Sequence, residues 1–244
     1  MSISLLIFLA ACVLIIAVLY SSVGHGGASG YIAVMVLFGI APSVIKPTAL
    51  LLNIVVSAIT AIYFFRAGHF SWRLFWPFAI TSIPCSFIGG ATNLPPHIYN
   101  PLLGIILLFS AYRLFSHQEE NITAKFPLLP MALSVGAILG LLSGLTGVGG
   151  GIFLSPLLLL MRWGKAKAVA AIAALFILAN SVAGLMGHMS GLQVIPHFAL
   201  LLAAVALGGG VIGAIAGSRH MPAAGIVRAL AIVLGIAGAK LMLI

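Results

Sequence analysis

The sequence predicts an all-α integral membrane protein, a polytopic helical bundle built as an inverted repeat with glycine-broken helices near mid-membrane. Hydrophobic residues make up 63% of the 244 residues and charged residues only 5%, whereas soluble domains carry roughly 25% charged residues. Most of the apolar stretches approach the roughly 20 residues that a membrane-spanning helix requires. Each half of the chain also contains a similar glycine run inside apolar sequence, which is the third observation behind this prediction.

Ten apolar segments follow one another in two groups of five. The segments of the first repeat, assigned to residues 1–118, lie at about 3–23, 28–41, 47–65, 72–92 and 98–115. A polar linker is assigned to residues 119–126. The segments of the second repeat, assigned to residues 127–244, lie at about 127–146, 151–161, 166–187, 193–217 and 223–243. The second and seventh segments are short, which predicts helices that begin inside the bilayer.

The two glycine runs are the predicted binding site. They read Gly24-His25-Gly26-Gly27 and Gly147-Val148-Gly149-Gly150-Gly151. Unwound backbone at membrane depth is tolerated only where it is buried in protein or lines a cavity, and matching breaks in two halves point to a substrate site. A helix that restarts after such a turn presents unpaired N–H groups and the positive end of its dipole, which favours an anion.

Matching positions indicate an internal duplication. The glycines of the first run precede those of the second by 123 positions. Further along, the separation becomes 127 positions, and it then relates Asn53 to Asn180, Gly90 to Gly217 and Pro95 to Pro222. Because each half has an odd number of segments, the second half would be inverted relative to the first.

The distribution of positive charge predicts the orientation. If the ten segments cross, or return in pairs, nine of the eleven Lys and Arg residues share one face and only Lys46 and Lys240 lie opposite. Positive residues favour the cytoplasm, so both termini are expected outside the inner cell membrane. Treating each glycine-broken pair as one crossing gives eight spans and places Arg162, Lys165 and Lys167 outside, which the charge rule disfavours.

Polar residues inside the apolar segments are the remaining site candidates. Asn53 and Asn180 each need a hydrogen-bond partner and would either cap the broken backbone or contact a solute. His25 would donate to an anion, carry a proton or bond a nearby carbonyl. Further candidates facing the turns are Ser22, Ser57, Ser143, Thr146 and Ser181.

Other residues are expected to have ordinary structural roles. Lys46 is expected in a solvated loop, with the alternative that it starts the third helix and draws anions in. His188 and most other histidines lie near segment ends, where solvation explains them. The glycines spaced four apart are expected to let helices pack closely, namely Gly136, Gly140 and Gly144, and Gly209, Gly213 and Gly217.

Missing residue types exclude several functions. The only acids, Glu119 and Glu120, lie in the linker, so a carboxylate proton relay within the membrane, a two-carboxylate enzyme and a carboxylate-held metal site are excluded. The second glycine run lacks the Lys-Ser/Thr of a nucleotide-binding loop. No basic cluster predicts a nucleic-acid partner. No cofactor and no metal are expected.

The pattern resembles the sulfite exporter TauE/SafE family of membrane anion permeases. The resemblance rests on the two glycine runs, on Pro156 shortly after the second, and on Asn53 and Asn180 downstream. It implies transport of small sulfur-containing anions, such as sulfite or organosulfonates. Many members have a Gly-Thr-Ser stretch opening the helix after the second run, whereas residues 168–174 here contain no hydroxyl.

The predicted function is secondary transport of a small anion by alternating access, one half rocking against the other. The substrate-binding residues are predicted to be Gly24, His25, Gly26, Gly27, Asn53, Thr146, Gly147, Gly149, Gly150, Gly151 and Asn180. The predicted partners are the anion, the lipid bilayer and, as an open alternative, a second copy in a homodimer. An anion channel is the alternative function, and an integral membrane enzyme a weaker one.

Overall fold

A computed structural model of the protein describes residues 3–92, 94–115, 126–190 and 196–219, together with residues 235, 238, 239 and 242. Regular structure in these residues is helical, without strands. The first group of helices comprises α1 (Ile3–Ser22), α2 (Ala28–Leu37), α3 (Pro42–Arg66), α4 (Trp72–Ala91) and α5 (Pro96–Phe115). The second comprises α6 (Leu129–Thr146), α7 (Gly151–Leu160), α8 (Ala166–Ser190) and α9 (His197–Arg219). The predicted linker, except residue 126, and most of the tenth segment lie outside the described residues.

The helix lengths confirm the predicted polytopic membrane fold. Among the described helices, six are long and apolar enough to cross a membrane, namely α1, α3, α4, α6, α8 and α9. Helices α2 and α7 have 10 residues each, or about 15 Å at 1.5 Å per residue. This length is about half of the roughly 30 Å hydrocarbon core, so both helices are short, as predicted.

The helix pairings have a two-part pattern. Helix α1 packs along α9, and α6 packs along α4. Helix α3 also contacts α9, α8 also contacts α4, and α3 packs against α8. When the first group of helices is exchanged for the second, the first four of these pairings map onto one another, and the α3–α8 pairing maps onto itself. The halves are therefore interlaced, because the fourth helix of each half packs against the first helix of the other half.

The apolar core follows the same division. One cluster of buried side chains comes mainly from α1, α2, α3, α5 and α9, and includes Leu9, Tyr31, Leu52 and Leu103. The other comes from α4, α6, α7 and α8, with Phe78, Leu154 and Phe176 among its members. We call these the α1–α9 body and the α4–α6 body. Each body contains helices from both halves of the chain.

Glycine stripes hold each body together. A Cβ atom on Gly140 of α6 would overlap the main-chain oxygen of Ser82 in α4, and one on Gly213 of α9 would overlap that of Val18 in α1. The glycines one turn before and after make similar approaches, namely Gly136, Gly144, Gly209 and Gly217. Small residues let membrane helices approach this closely, so the predicted packing role of both stripes is confirmed.

Two ring contacts show which helix ends lie together. The guanidinium of Arg73, at the start of α4, lies 4.3 Å from the ring centroid of Phe126, just before α6. The ring of Trp163, in the α7–α8 turn, is 6.0 Å from that of Phe78 in α4. We call this the basic end, because it carries exposed cations, namely Arg66, Arg73, Arg162, Lys165 and Lys167.

The chain returns to the basic end after α6 and α7. Helix α6 starts there, and Gly147 at its other end lies against Lys46 in the first turns of α3. Helix α7 then leads back to the α7–α8 turn at the basic end. The eight-span alternative, which placed the two basic turns on opposite faces, is therefore wrong. The opposite end, where α3 and α9 begin and α4 and α8 end, is called the far end below.

Candidate functional site

Both glycine runs interrupt the helices where the sequence predicts. Gly27 is the N-cap of α2 and Gly150 is the N-cap of α7. Five glycines of the two runs have left-handed φ angles, which only glycine adopts readily, namely Gly24 (84°), Gly27 (97°), Gly147 (80°), Gly149 (83°) and Gly150 (74°). Gly26 and Gly151 do not have left-handed φ angles. Glycine is needed at these two positions because a larger residue would not fit: a Cβ atom on either would lie within 3.0 Å of Ile177.

The two turns come from opposite ends and meet. Gly24 lies against Ala170 near the start of α8, and Gly147 lies against Lys46 near the start of α3. Two residues later, Gly26 and Gly149 both lie against Asn53 and Ile177. Ala170 and Ile177, like Lys46 and Asn53, are seven residues apart, which is about 10 Å along a helix. The meeting point is therefore at mid-height in the bundle.

Asn53 joins the two turns at this point. Its Nδ2 donates a hydrogen bond to the main-chain oxygen of Val148 at 3.2 Å. Its Oδ1 is buried without a hydrogen-bond partner among the described residues, and a Cβ atom on Gly26 would lie 2.5 Å from it. Asn53 thus caps the broken backbone of the second turn while its other amide atom faces the first.

Asn180 is placed differently, although it occupies the matching position. Its Nδ2 donates to the main-chain oxygen of Phe176, in its own helix, at 2.8 Å. Its main-chain oxygen accepts a hydrogen bond from Ser86 Oγ at 2.7 Å. Its Oδ1 is buried without a partner. The two asparagines therefore do different work, and of the two only Asn53 has a hydrogen bond to a glycine turn in the described part of the chain.

His25 and Thr146 shape the turns on which they lie. The imidazole Nδ1 of His25 is 3.1 Å from the main-chain oxygen of Val23, and its main-chain N–H donates to Tyr20 at 2.8 Å. The Thr146 hydroxyl donates to Leu142 at 2.7 Å and accepts a bond from the Val148 N–H at 3.4 Å. Both residues thus bond to the local backbone.

Three buried hydroxyl groups beside the turns have no hydrogen-bond partner in the part of the chain that the structure describes. Ser181 lies against Gly149, and Ser143 lies against Gly150. The third, Tyr31, packs its ring against Gly27 and was missed in the sequence. Its position four residues after Gly27, on the same face of α2, was the available signal. The other candidates, Ser22 and Ser57, donate to carbonyls of their own helices.

The electrostatics of the meeting point favour negative charge. Helices α2 and α7 both begin there, and neither N-cap residue makes a side-chain hydrogen bond to the first turn. Uncapped N–H groups and the positive ends of two helix dipoles therefore point inward. The described part of the chain contains no Asp or Glu to compete with an anion. Nor does it contain a His, Cys, Asp and Glu cluster suited to a metal.

Two expectations about basic residues are wrong. Lys46 is 6% exposed and belongs to α3, so it is not in a solvated loop. Its Nζ donates to the main-chain oxygens of Gly89, Gly90 and Thr92 at 2.9–3.2 Å. His188 is 3% exposed, so solvation does not explain it either. The unpaired carbonyls at the C-terminus of α4 accept the hydrogen bonds that the Lys46 ammonium would otherwise donate to water.

Comparisons with known proteins agree with this architecture. A family model described as "Sulfite exporter TauE/SafE" matches residues 9–241. A "Probable membrane transporter protein" of Sinorhizobium fredii, y4hK, is 43% identical over 239 residues, covering 96% of this chain and 97% of the relative. A protein of the same description from Methanocaldococcus jannaschii, MJ0441, is 29% identical over 189 residues, covering 72% and 69%. No solved structure matches the chain.

Proposed function

Because the chain belongs to the TauE/SafE sulfite exporter family and is a membrane transporter, we propose that it carries a small sulfur-containing anion, such as sulfite or an organosulfonate. The observation that carries the proposal is the meeting of two uncapped helix N-termini at Asn53 and Ile177. The oxygens of the anion would accept hydrogen bonds from these N–H groups and from the hydroxyls of Ser181 and Tyr31.

Movement of the two bodies would give alternating access. Rocking of one sequence half against the other would separate the glycine-packed pairs α1–α9 and α4–α6, because each pair contains one helix from each half. The α1–α9 body moving against the α4–α6 body keeps both pairs intact. The contact between these bodies includes α3 on α8, and the anion site lies in that contact. A hinge there would expose the site to one side at a time.

The proposed location is the inner cell membrane, with the basic end in the cytoplasm and both termini outside. Two exposed residues mark the ends, Ser43 at the far end and Lys165 at the basic end. In a protein with Cys12 and Cys85 replaced by alanine, we expect Ser43→Cys to react with a membrane-impermeant maleimide in intact cells. We expect Lys165→Cys to react only after permeabilisation. The reverse pattern would overturn the orientation.

Transport itself is tested in proteoliposomes containing the purified protein. We expect saturable uptake of radiolabelled sulfite that is accelerated by unlabelled sulfite on the opposite side, because a carrier returns faster when loaded. Short organosulfonates should compete, and choline should not. Protein-free liposomes are the control.

The other outcomes of this assay would separate the alternatives. Ion conductance without counterflow would indicate the anion channel, and product formation without flux would indicate an enzyme. The homodimer stays a prediction, which the mass of the protein in nanodiscs would test.

A further inference from the structure

A buried basic pair lies at the far end, outside the glycine turns. Lys46 is in the first turns of α3 and His188 is in the last turn of α8, and both are more than nine-tenths buried. Neither belongs to the anion site proposed above. Lysine is almost never fully buried unless it is paired, so the surroundings of this pair call for an explanation.

Helix packing places the two side chains at the same level. Helix α3 ends at the basic end, where α8 begins, so the two helices are antiparallel. Leu50 Cδ2 lies 3.5 Å from the Cβ position of Gly184. Lys46 is one turn before Leu50 and His188 is one turn after Gly184, which brings them to one height. The two side chains therefore lie at the same level of neighbouring helices.

The pair is polar but not neutralised. The three hydrogens of the Lys46 ammonium all have carbonyl acceptors at the end of α4, yet carbonyls leave the net charge in place. Both ring nitrogens of His188 are buried without a hydrogen-bond partner among the described residues. A neutral imidazole has one donor and one acceptor, so His188 has an N–H that is directed to no group in the described part of the chain.

The pair lies between the surface and the second glycine turn. Thr92, whose main-chain oxygen accepts a hydrogen bond from Lys46, is exposed. Ser190, two residues after His188 in α8, is also exposed. On the inner side, the backbone of Lys46 is the surface against which Gly147 packs. Asn53 is seven residues further along α3, which is about 10 Å. An anion moving between the far end and the glycine turns would pass this pair.

We propose that Lys46 and His188 form a second anion site, which holds a small oxyanion on its way between the far end and the glycine turns. The His188 N–H donates to an oxygen of the anion. The Lys46 charge, fixed in position by the α4 carbonyls, offsets the charge of the anion. This inference rests on the proposed function for the identity of the anion as a transported one.

The second site has no counterpart at the basic end. The 127-position separation relates Lys46 to Ala173 and His188 to Ala61. A cleft near that end is lined by apolar side chains of α3 and α8, including Ala61 and Ala171, and by the exposed Arg66. The buried lysine–histidine pair is therefore not repeated at the matching positions.

Nuclear magnetic resonance of the histidine rings tests the site. Protein with ¹⁵N-labelled histidines, in nanodiscs, is titrated with sodium sulfite and separately with sodium sulfate, with gluconate keeping the ionic strength constant. The His188 signal is assigned from its loss in His188→Gln. We expect it to shift saturably, whereas the signals of the exposed His97 and His197 should not saturate. In Lys46→Met the midpoint should rise by at least about tenfold, and in Lys46→Arg it should change little.

Each result decides the proposal. A His188 signal that moves with neither anion up to 50 mM, a concentration chosen to exceed roughly millimolar binding, would overturn it. So would an unchanged midpoint in Lys46→Met. If that variant does not fold, the titration of the unmodified protein decides alone. The same titration with Gly149→Ala separates the two proposals: a retained His188 shift with absent flux supports both sites, whereas a retained shift with undiminished flux would contradict only the transport site.

Discussion

Replacing Gly149 by alanine is expected to lower sulfite uptake by at least about 100-fold, the loss that roughly 1 Å of misplacement causes at precisely organised sites. The new Cβ atom would lie 2.6 Å from Asn53 Nδ2, 2.9 Å from Ile177 Cγ2 and 3.1 Å from Ser181 Oγ. All three neighbours belong to the meeting point of the two turns. The left-handed φ of 83° also raises the conformational energy of the backbone by about 1–2 kcal/mol for any residue with a side chain.

The chain offers a matched control for this experiment. Gly68, in the α3–α4 turn, has a φ of 76° and no atom within 4 Å of its Cβ position. Gly68→Ala therefore carries the same backbone cost without the steric one, and its uptake should stay near that of the unmodified protein. Fluorescence-detected size exclusion would show whether both proteins reach the membrane folded. Equal uptake by the two variants would contradict the proposed site.

Replacing Asn53 by alanine is expected to lower uptake by about 10- to 100-fold, and replacing Asn180 by alanine by less than about tenfold. Asn53 holds the Val148 carbonyl and lies against Gly26, whereas the Asn180 amide N–H is satisfied within α8. The loss of stability should be modest in both, because hydrogen bonds between membrane helices contribute about 0.6 kcal/mol on average. Initial uptake rates at equal protein amounts would measure the difference.

An isosteric change sharpens the comparison. Asn53→Asp replaces the Nδ2 donor by an oxygen, so two oxygens would face each other at the Val148 carbonyl and a negative charge would face the anion. Its uptake should fall below that of Asn53→Ala. Asn180→Asp is the paired control. A larger effect at Asn180 than at Asn53 would show that hydrogen bonding to the glycine turns does not determine transport.

The glycine turns were accessible to sequence reasoning because they leave a local pattern. A run such as Gly147–Gly151 interrupts apolar sequence and precedes a short apolar segment, and each feature can be read within a few residues. The same is true of the Gly136 and Gly209 stripes, whose spacing of four places them on one helix face. The resulting predictions, two short helices and two close helix contacts, are confirmed.

The basic pair was not accessible in that way. Lys46 donates to carbonyls 43 to 46 residues away, and main-chain acceptors have no residue type by which to recognise them. His188 is buried because α3, α4 and α8 converge at its position, which no local pattern indicates. The exchange of α4 and α9 between the halves was also missed, because a repeat in sequence does not say which copies pack together.

The difference between Asn53 and Asn180 shows a further limit. The two residues match in sequence and lie in corresponding helices, so the repeat predicts equal roles. Their hydrogen bonds differ because Asn53 reaches the Val148 carbonyl, whereas Asn180 bonds within its own helix. Under the proposed alternating access, the two roles would be exchanged in the opposite conformation.

The attachment of Lys46 to the end of α4 sets an order for membrane insertion. When Lys46 leaves the ribosome, the carbonyls of Gly89, Gly90 and Thr92 that will accept its hydrogen bonds have not yet emerged from it. At about 5–20 residues per second, the roughly 45 intervening residues take about 2 to 9 s to synthesise. Through that interval the Lys46 ammonium has to remain in the headgroup region, since a lysine at the bilayer centre costs roughly 2.5–3.5 kcal/mol. We therefore expect helix α3 to reach its final depth only after α4 has been inserted beside it.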